Sequence, residues 1–308
     1  CIRKGVKIAP RLPVIDDDIK RLGILMAPGL VSAGIQQINL VIGQTVASLQ
    51  LGGQSLIYYS DRINQLPLGL IGMAAGVVLL PEISRNLRAG NSAAAQSSMA
   101  KGMEISMLLC LPAMVAMLVI PREIMFAIFE GGKFKPEDAI QAGWVLCAFA
   151  AGTPAYVLAK VLQPGYFAHE NTKTPMKFTI ASAVVNMLLC WPLFQLLGAA
   201  GCALATTVAG WVNVGLLWFG LRGMDFLGLP KGFFSRLARM LLSASLMGGL
   251  VWGLSLFAHD WIFAEGERVS RLSVLSVLVM IGVVVYFLLI FATRVFSVAE
   301  LKRALRRS

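Results

Sequence analysis

Long apolar stretches broken by short polar ones set the architecture of this chain. From Leu22 to Ser60 no charged residue occurs. That run exceeds the roughly 20 residues needed to cross a bilayer. Gly52-Gly53 marks its end, so a first span covers Leu22–Leu51, with Pro28 as a kink that transmembrane helices tolerate. Its polar residues are Gln36, Gln37, Asn39 and Gln44. Gln37 and Gln44 lie seven residues apart and share a face, turned to protein or a cavity. A second span runs from Ile63 to Leu80 and a third from Met103 to Ile120, joined by a polar connection, Glu82–Gly102.

The stretch Pro121–Ala139 is too short and too charged to cross; it reads as an interfacial helix followed by a Gly131-Gly132 turn. Span four is Ala139–Leu162. It carries Lys160 near one end, where a long stem can reach the headgroups. A turn-rich loop follows, Gln163–Lys177. Phe178–Leu221 is again free of charge and splits into two spans at Leu197–Gly201. Spans seven and eight are Leu237–Phe257 and Leu272–Thr293. In Val295–Ser308, Val298, Leu301 and Leu305 fall opposite Lys302, Arg303, Arg306 and Arg307, the pattern of a basic helix lying on a membrane surface. The fold class is therefore all-α, an integral membrane protein with eight transmembrane helices.

Composition agrees. Hydrophobic residues make up 57% of the chain and charged residues 14%, with a mean hydropathy of +0.74; soluble domains carry about 25% charged residues. The net charge of +11 invites a nucleic-acid reading, but the placement of the bases argues against it. With eight spans, 20 of the 27 Lys and Arg fall on one side and 5 on the other (Arg122, Lys133, Lys135, Arg268, Arg271), leaving Arg62 and Lys160 at or within spans. That asymmetry puts both chain ends in the cytoplasm, where the bases face anionic headgroups of the phospholipid bilayer.

Enzyme chemistry finds no constellation. Cys1, Cys110, Cys147, Cys190 and Cys202 lack paired spacing, and four of them lie in apolar runs. An opening Cys1 with no Met suits a truncated piece better than a lipidated N-terminus. His169 and His259 fall in loops on opposite sides of the membrane. No glycine-rich phosphate loop or metal-ligand spacing occurs.

The chemistry concentrates in Tyr58–Arg88, where Asp61 and Arg62 stand at the mouth of span two and Asn64 and Gln65 follow within a turn. A charge near the bilayer centre costs about 2.5–3.5 kcal/mol on insertion scales, so it faces a partner or a water-filled cavity. Arg62 can bind an anionic ligand in bidentate fashion. Equally, Asp61 and Arg62 can pair with each other at the membrane surface.

Four segments carry a resemblance: QQINLVIGQTVAS (Gln36–Ser48), YYSDRINQLPLGLIGMAAGVVLLPEISR (Tyr58–Arg85), FEGGKF (Phe129–Phe134) and KVLQPGYFAHENTKTPMK (Lys160–Lys177). They resemble the MurJ/MviN family, bacterial lipid II flippases of the multidrug/oligosaccharidyl-lipid/polysaccharide exporter superfamily. The resemblance implies fourteen spans in the whole protein, of which this chain holds seven to fourteen. Residues 1–19 would be a cytoplasmic linker, 20–221 a six-helix lobe, 222–294 a helix pair forming a lipid-facing groove, and 295–308 a basic cytoplasmic tail. A preceding six-helix lobe would be its partner.

It further implies that Arg62 lines a central cavity and holds the diphosphate of lipid II, the undecaprenyl-diphosphate-linked disaccharide-pentapeptide. Asp61 would orient Arg62 or gate the cavity. Asn64, Gln65 and Gln37 complete the substrate-binding candidates, and Gln65 stands where many relatives carry an acid. Lys160 and Lys173 match positions near the cytoplasmic opening. Some relatives bind a sodium ion; the positions aligned with its acids are Gly43 and Cys190 here, which leaves Asn186, Thr206 and Thr207 as weak ligands. No other cofactor and no catalytic residue is expected. The implied activity is transport of lipid II across the bacterial inner membrane by alternating access. Rival readings are an exporter of another lipid-linked oligosaccharide or of cationic drugs, a membrane enzyme acting on prenyl diphosphates, and a non-transporting scaffold.

Overall fold

The computed structural model describes residues 16–132, 134–258, 261 and 268–293. The linker up to residue 15, His259 and the basic tail 295–308 lie outside the described residues. Apart from a single bridge between Gly131 and Phe134, the described chain is helical: α1 (Asp17–Ala47), α2 (Gly53–Arg88), α3 (Ser92–Val119), α4 (Pro121–Phe129), α5 (Pro136–Ala150), α6 (Thr153–Phe167), α7 (Lys173–Leu197), α8 (Ala199–Gly223), α9 (Phe233–Phe257) and α10 (Arg268–Ala292).

Local chemistry sets the boundaries. Asp16 caps α1, its carboxylate accepting from Ile19 N at 2.9 Å, where an acid also suits the positive end of the helix dipole. Within α1, Pro28 cannot donate a hydrogen bond, and Ser32 Oγ donates to the Pro28 carbonyl at 2.9 Å. The tight turn into α2 uses Gly52 at φ 73°, a left-handed conformation glycine adopts without strain.

Two expected loops shrink. The polar connection Glu82–Gly102 is helical except at Ala89–Asn91, because Asn91 caps α3 (Ala94 N to Oδ1, 3.0 Å) and alanines fill the first turns. The loop expected over Gln163–Lys177 is only Ala168–Thr172. Hydropathy marks where a helix is greasy, and a helix continues wherever capping and propensity allow. Expected span four proves to be two helices in line, α5 and α6, interrupted at Ala151–Gly152. Pro154 lacks the N–H that would close the next hydrogen bond, and its ring disfavours a continuous helix. A short helix, α4, forms within the expected Pro121–Ala139 stretch.

Among the described residues, six segments are long and apolar enough to cross a membrane: Ser92–Val119, Pro136–Phe167 (α5 with α6), Lys173–Leu197, Ala199–Gly223, Phe233–Phe257 and Val269–Ala292. The amide-rich α1 and the charged, proline-containing α2 are not among them. Trp144, Leu188, Phe219 and Leu288 are more than 60% exposed, as suits side chains that meet lipid.

Helices α9 and α10 pack on the flank of α3 and α4. Arg236 Nε and Nη2 donate to Glu104 Oε1 at 2.9 and 2.6 Å, and Arg271 pairs with Glu130. Tyr286 Oη donates to Leu108 O at 2.9 Å. The pair is thus held by ionic contacts near the starts of both helices, where polar partners remain affordable.

Candidate functional site

A cleft of about 680 Å³ opens between α1, α2, α6, α7 and α8. One face of each helix supplies its wall. From α2 come Tyr58, Asp61, Arg62 and Gln65, at i, i+3, i+4 and i+7; from α6 come Tyr156, Lys160 and Gln163. Helix α1 contributes Gln36, Gln37, Asn39, Gly43 and Gln44, and α8 contributes Thr206 and Asn213.

Arg62 is exposed into this space. Its guanidinium sits 4.7 Å from the centroid of the Tyr58 ring, and Nη1 donates to Gln65 Oε1 at 3.3 Å. Gln65 Nε2 donates to Asp61 Oδ2. Gln65 therefore bridges the acid and the base, and among the described residues Arg62 makes no salt bridge. An amide bridge leaves the guanidinium its full charge and most of its five donors, while the aromatic ring holds it in place.

The structure brings together Gln37, Asp61, Arg62, Gln65, Lys160 and Thr206 on the cleft wall. Asn64 is elsewhere: it is 1% exposed, and Thr153 Oγ1 donates to its Oδ1 at 2.6 Å. It ties α2 to the first turn of α6. Lys173 begins α7 and does not line the cleft. Tyr58, Tyr156, Gln163 and Asn213 join the wall without being site candidates in the sequence. For the α6 pair a signal existed, since Tyr156, Lys160 and Gln163 fall on one helical face.

The residues implied for a sodium ion do not fit one. Asn186 Nδ2 donates to Asn39 Oδ1 at 2.6 Å, which occupies that oxygen. Thr207 Oγ1 donates to Ala148 O at 2.6 Å, and Thr206 Oγ1 to Cys202 O at 3.0 Å. Gly43 has no side chain, and Cys190 Sγ lies 3.4 Å from Cys202 Sγ. Of the side chains implied for the ion, only Asn186 keeps a buried oxygen without a partner, its Oδ1. Hard cations need several oxygens, commonly with carboxylates among them, and this corner supplies no carboxylate. A neutral amide pair joins α1 to α7 instead.

The family model described as lipid II flippase MurJ matches residues 1–266. The chain belongs to the MurJ family. It is 38% identical over 306 residues to a probable lipid II flippase MurJ of Rhizobium tropici, and 36% identical over 307 residues to one of Rhizobium meliloti (strain 1021). Each alignment covers 98% of this chain and 57% of the relative, so the chain spans little more than half the length of these MurJ proteins. Among solved structures, the fold resembles a lipid II flippase MurJ in an inward closed conformation, with TM-score 0.71 and 23% identity over 90% of this chain and 55% of that one. A MATE structure in the bent conformation is similar at TM-score 0.58 and 16% identity. MurJ membership makes this a multi-pass membrane protein of a transport family.

Proposed function

We propose that this chain is the C-terminal part of a lipid II flippase, and that its cleft holds the diphosphate of the substrate on Arg62. The observation that carries this reading is a cleft-facing guanidinium held by an aromatic ring and an amide, which reaches Asp61 through Gln65 and not by a direct salt bridge. A residue serving only to neutralise Asp61 would pair with it directly. Held this way, Arg62 keeps a planar fork of donors for phosphate oxygens.

The chain crosses the inner membrane eight times on this reading, α1 and α2 included, with both ends cytoplasmic. Amide-rich α1 and charged α2 are hydrophilic on the side that faces the cleft and the preceding lobe. Residues 20–221 form one wall of a two-lobed cavity, and 222–294 form the helix pair along which the prenyl tail stays in lipid. Rocking of the lobes exposes the cavity to each leaflet in turn. Sheltering the diphosphate is the physical need, because an ion in hydrocarbon is far too costly to move unaided. No covalent step is required, and no sodium ion at the Asn39–Asn186 corner.

In a strain depleted of its own lipid II flippase, the full-length gene product carrying Arg62→Ala should fail to restore growth while its membrane level stays normal. Arg62→Lys should restore it poorly, since an ammonium offers a point charge without the planar fork. Normal growth on Arg62→Ala would remove the reading.

A further inference from the structure

One pair of nucleophilic side chains has no part in the transport reading. Cys190 and Cys202 share no motif spacing in the sequence, yet the α7–α8 hairpin folds them onto each other: Cys190 Sγ donates to Cys202 Sγ at 3.4 Å. Gly198, at φ 60°, turns the chain between the helices. Gly201 then lets them close, since a Cβ there would lie 2.0 Å from Leu193 O. Side chains as short as cysteine meet across two helices only where the backbones approach this nearly. Among the described residues no other two thiols touch. Cys110 is buried away from them, and Cys147 Sγ faces the carbonyls of Met117 and Leu118 at 3.9 and 3.8 Å.

The two sulfurs differ in what can reach them. Cys202 is among the residues lining the cleft, whereas Cys190 lies behind it on α7. Exposure is 1% at Cys190 and 2% at Cys202. This lobe alone encloses both side chains, so a lobe packed across the cleft leaves their contact as it is. A reagent for Cys202 must be about the size of water, uncharged, and carried by the cleft. Hydrogen peroxide meets that description; a bulky thiol or disulfide reagent does not.

We infer that Cys190 and Cys202 form a peroxide-sensitive disulfide site. The Cys202 thiol gives its proton to cleft water, and its sulfur attacks one peroxide oxygen. The O–O bond breaks, a sulfenic acid forms on Cys202, and the hydroxide that leaves takes up a proton as water. The Cys190 sulfur then attacks the Cys202 sulfur. The S–O bond breaks, the S–S bond forms, and the hydroxyl departs with the Cys190 proton as a second water. Both sulfurs are oxidised, both peroxide oxygens are reduced, and no further reagent is needed. Closing the bond asks the sulfurs to move together by about 1.4 Å, from contact to the ~2.05 Å of a disulfide. Burial slows the first step. Contact favours the second over another strike of peroxide, so the pair stops at the disulfide and is spared sulfinic acid. The bridge fastens α7 to α8 one turn from Asn186, which holds α1 through Asn39. None of this depends on what the cleft carries.

The test treats the full-length protein, purified reduced in detergent, with hydrogen peroxide. Catalase ends the reaction, the protein is unfolded in N-ethylmaleimide, and its proteolytic peptides are weighed. The segments bearing residues 190 and 202 should be joined, short by the mass of two thiol hydrogens and free of maleimide, while Cys110 and Cys147 take up maleimide in full. Cys190→Ala removes the second sulfur, so Cys202 should instead gain oxygen as sulfinic acid. Cys202→Ala should leave Cys190 reduced. Maleimide on both residues of the wild type after peroxide would overturn the proposal, as would oxidation of Cys110 and Cys147 at the same rate. Cys190 oxidised in Cys202→Ala as readily as Cys202 in Cys190→Ala would overturn the attack from the cleft side. The wild-type peptides decide the pairing even where a variant folds poorly.

Discussion

At the scale of single residues, the cleft separates side chains that meet ligand from side chains that hold the frame. Asn64 looks like a binding residue in the sequence, two residues from Arg62 and polar inside a helix. Its side chain instead faces Thr153, fully enclosed. Thr153→Val would leave a buried amide oxygen without its donor, a loss of about 1–3 kcal/mol. The expected outcome is a lower melting temperature with substrate affinity unchanged in the molecules that remain folded. Gln65 has the opposite character, since it bridges Asp61 and Arg62 in the open cleft. Gln65→Glu would place a second carboxylate beside Arg62 and draw the guanidinium into a local ion pair. Substrate binding should weaken several-fold in a direct binding assay, whereas Gln65→Leu should weaken it less.

Among the elements, hydrophobic patterning located the apolar centres and missed the ends. Charge-free runs lead to α1, α7 and α8, though of these only α7 and α8 are apolar enough throughout to cross a membrane. The Glu82–Gly102 and Gln163–Lys177 stretches look like loops because they are polar, yet most of each is helix that outlasts its greasy centre. The break between α5 and α6 was invisible to hydropathy, although Pro154 and Gly152 mark it. Tyr156 crowds the glycines nearby: a Cβ at Gly210 would lie 2.6 Å from its ring, and one at Gly152 would lie 3.0 Å from it and 2.6 Å from Thr207 Oγ1. Gly210→Leu should therefore push the Tyr156 ring toward the cleft and part α6 from α8, seen as reduced thermal stability and slowed transport together. The site was legible in part for the same reason. Arg62 and Asp61 stand out as charges in an apolar run, whereas Tyr58 and Tyr156 blend with ordinary membrane residues until helices are assembled around them.

For the molecule as a whole, two ionic contacts fasten the α9–α10 pair to the flank of the helical lobe. Glu104 and Arg236 are largely buried, so Glu104→Ala would strand a guanidinium, an effect of about 3–5 kcal/mol. Replacing both by apolar residues, Glu104→Leu with Arg236→Met, should recover most of the lost stability, measured by thermal unfolding in detergent. The cleft lies away from that contact, between α2, α6 and α8 with α1 and α7 closing it. The flippase reading requires that cleft to present a free guanidinium to a diphosphate. Equilibrium binding of undecaprenyl diphosphate to the full-length protein in nanodiscs measures this directly. Arg62→Ala should weaken binding by at least about tenfold, the loss of one charge-assisted contact, with the fold intact by thermal melting. Equal affinity in wild type and Arg62→Ala would contradict it.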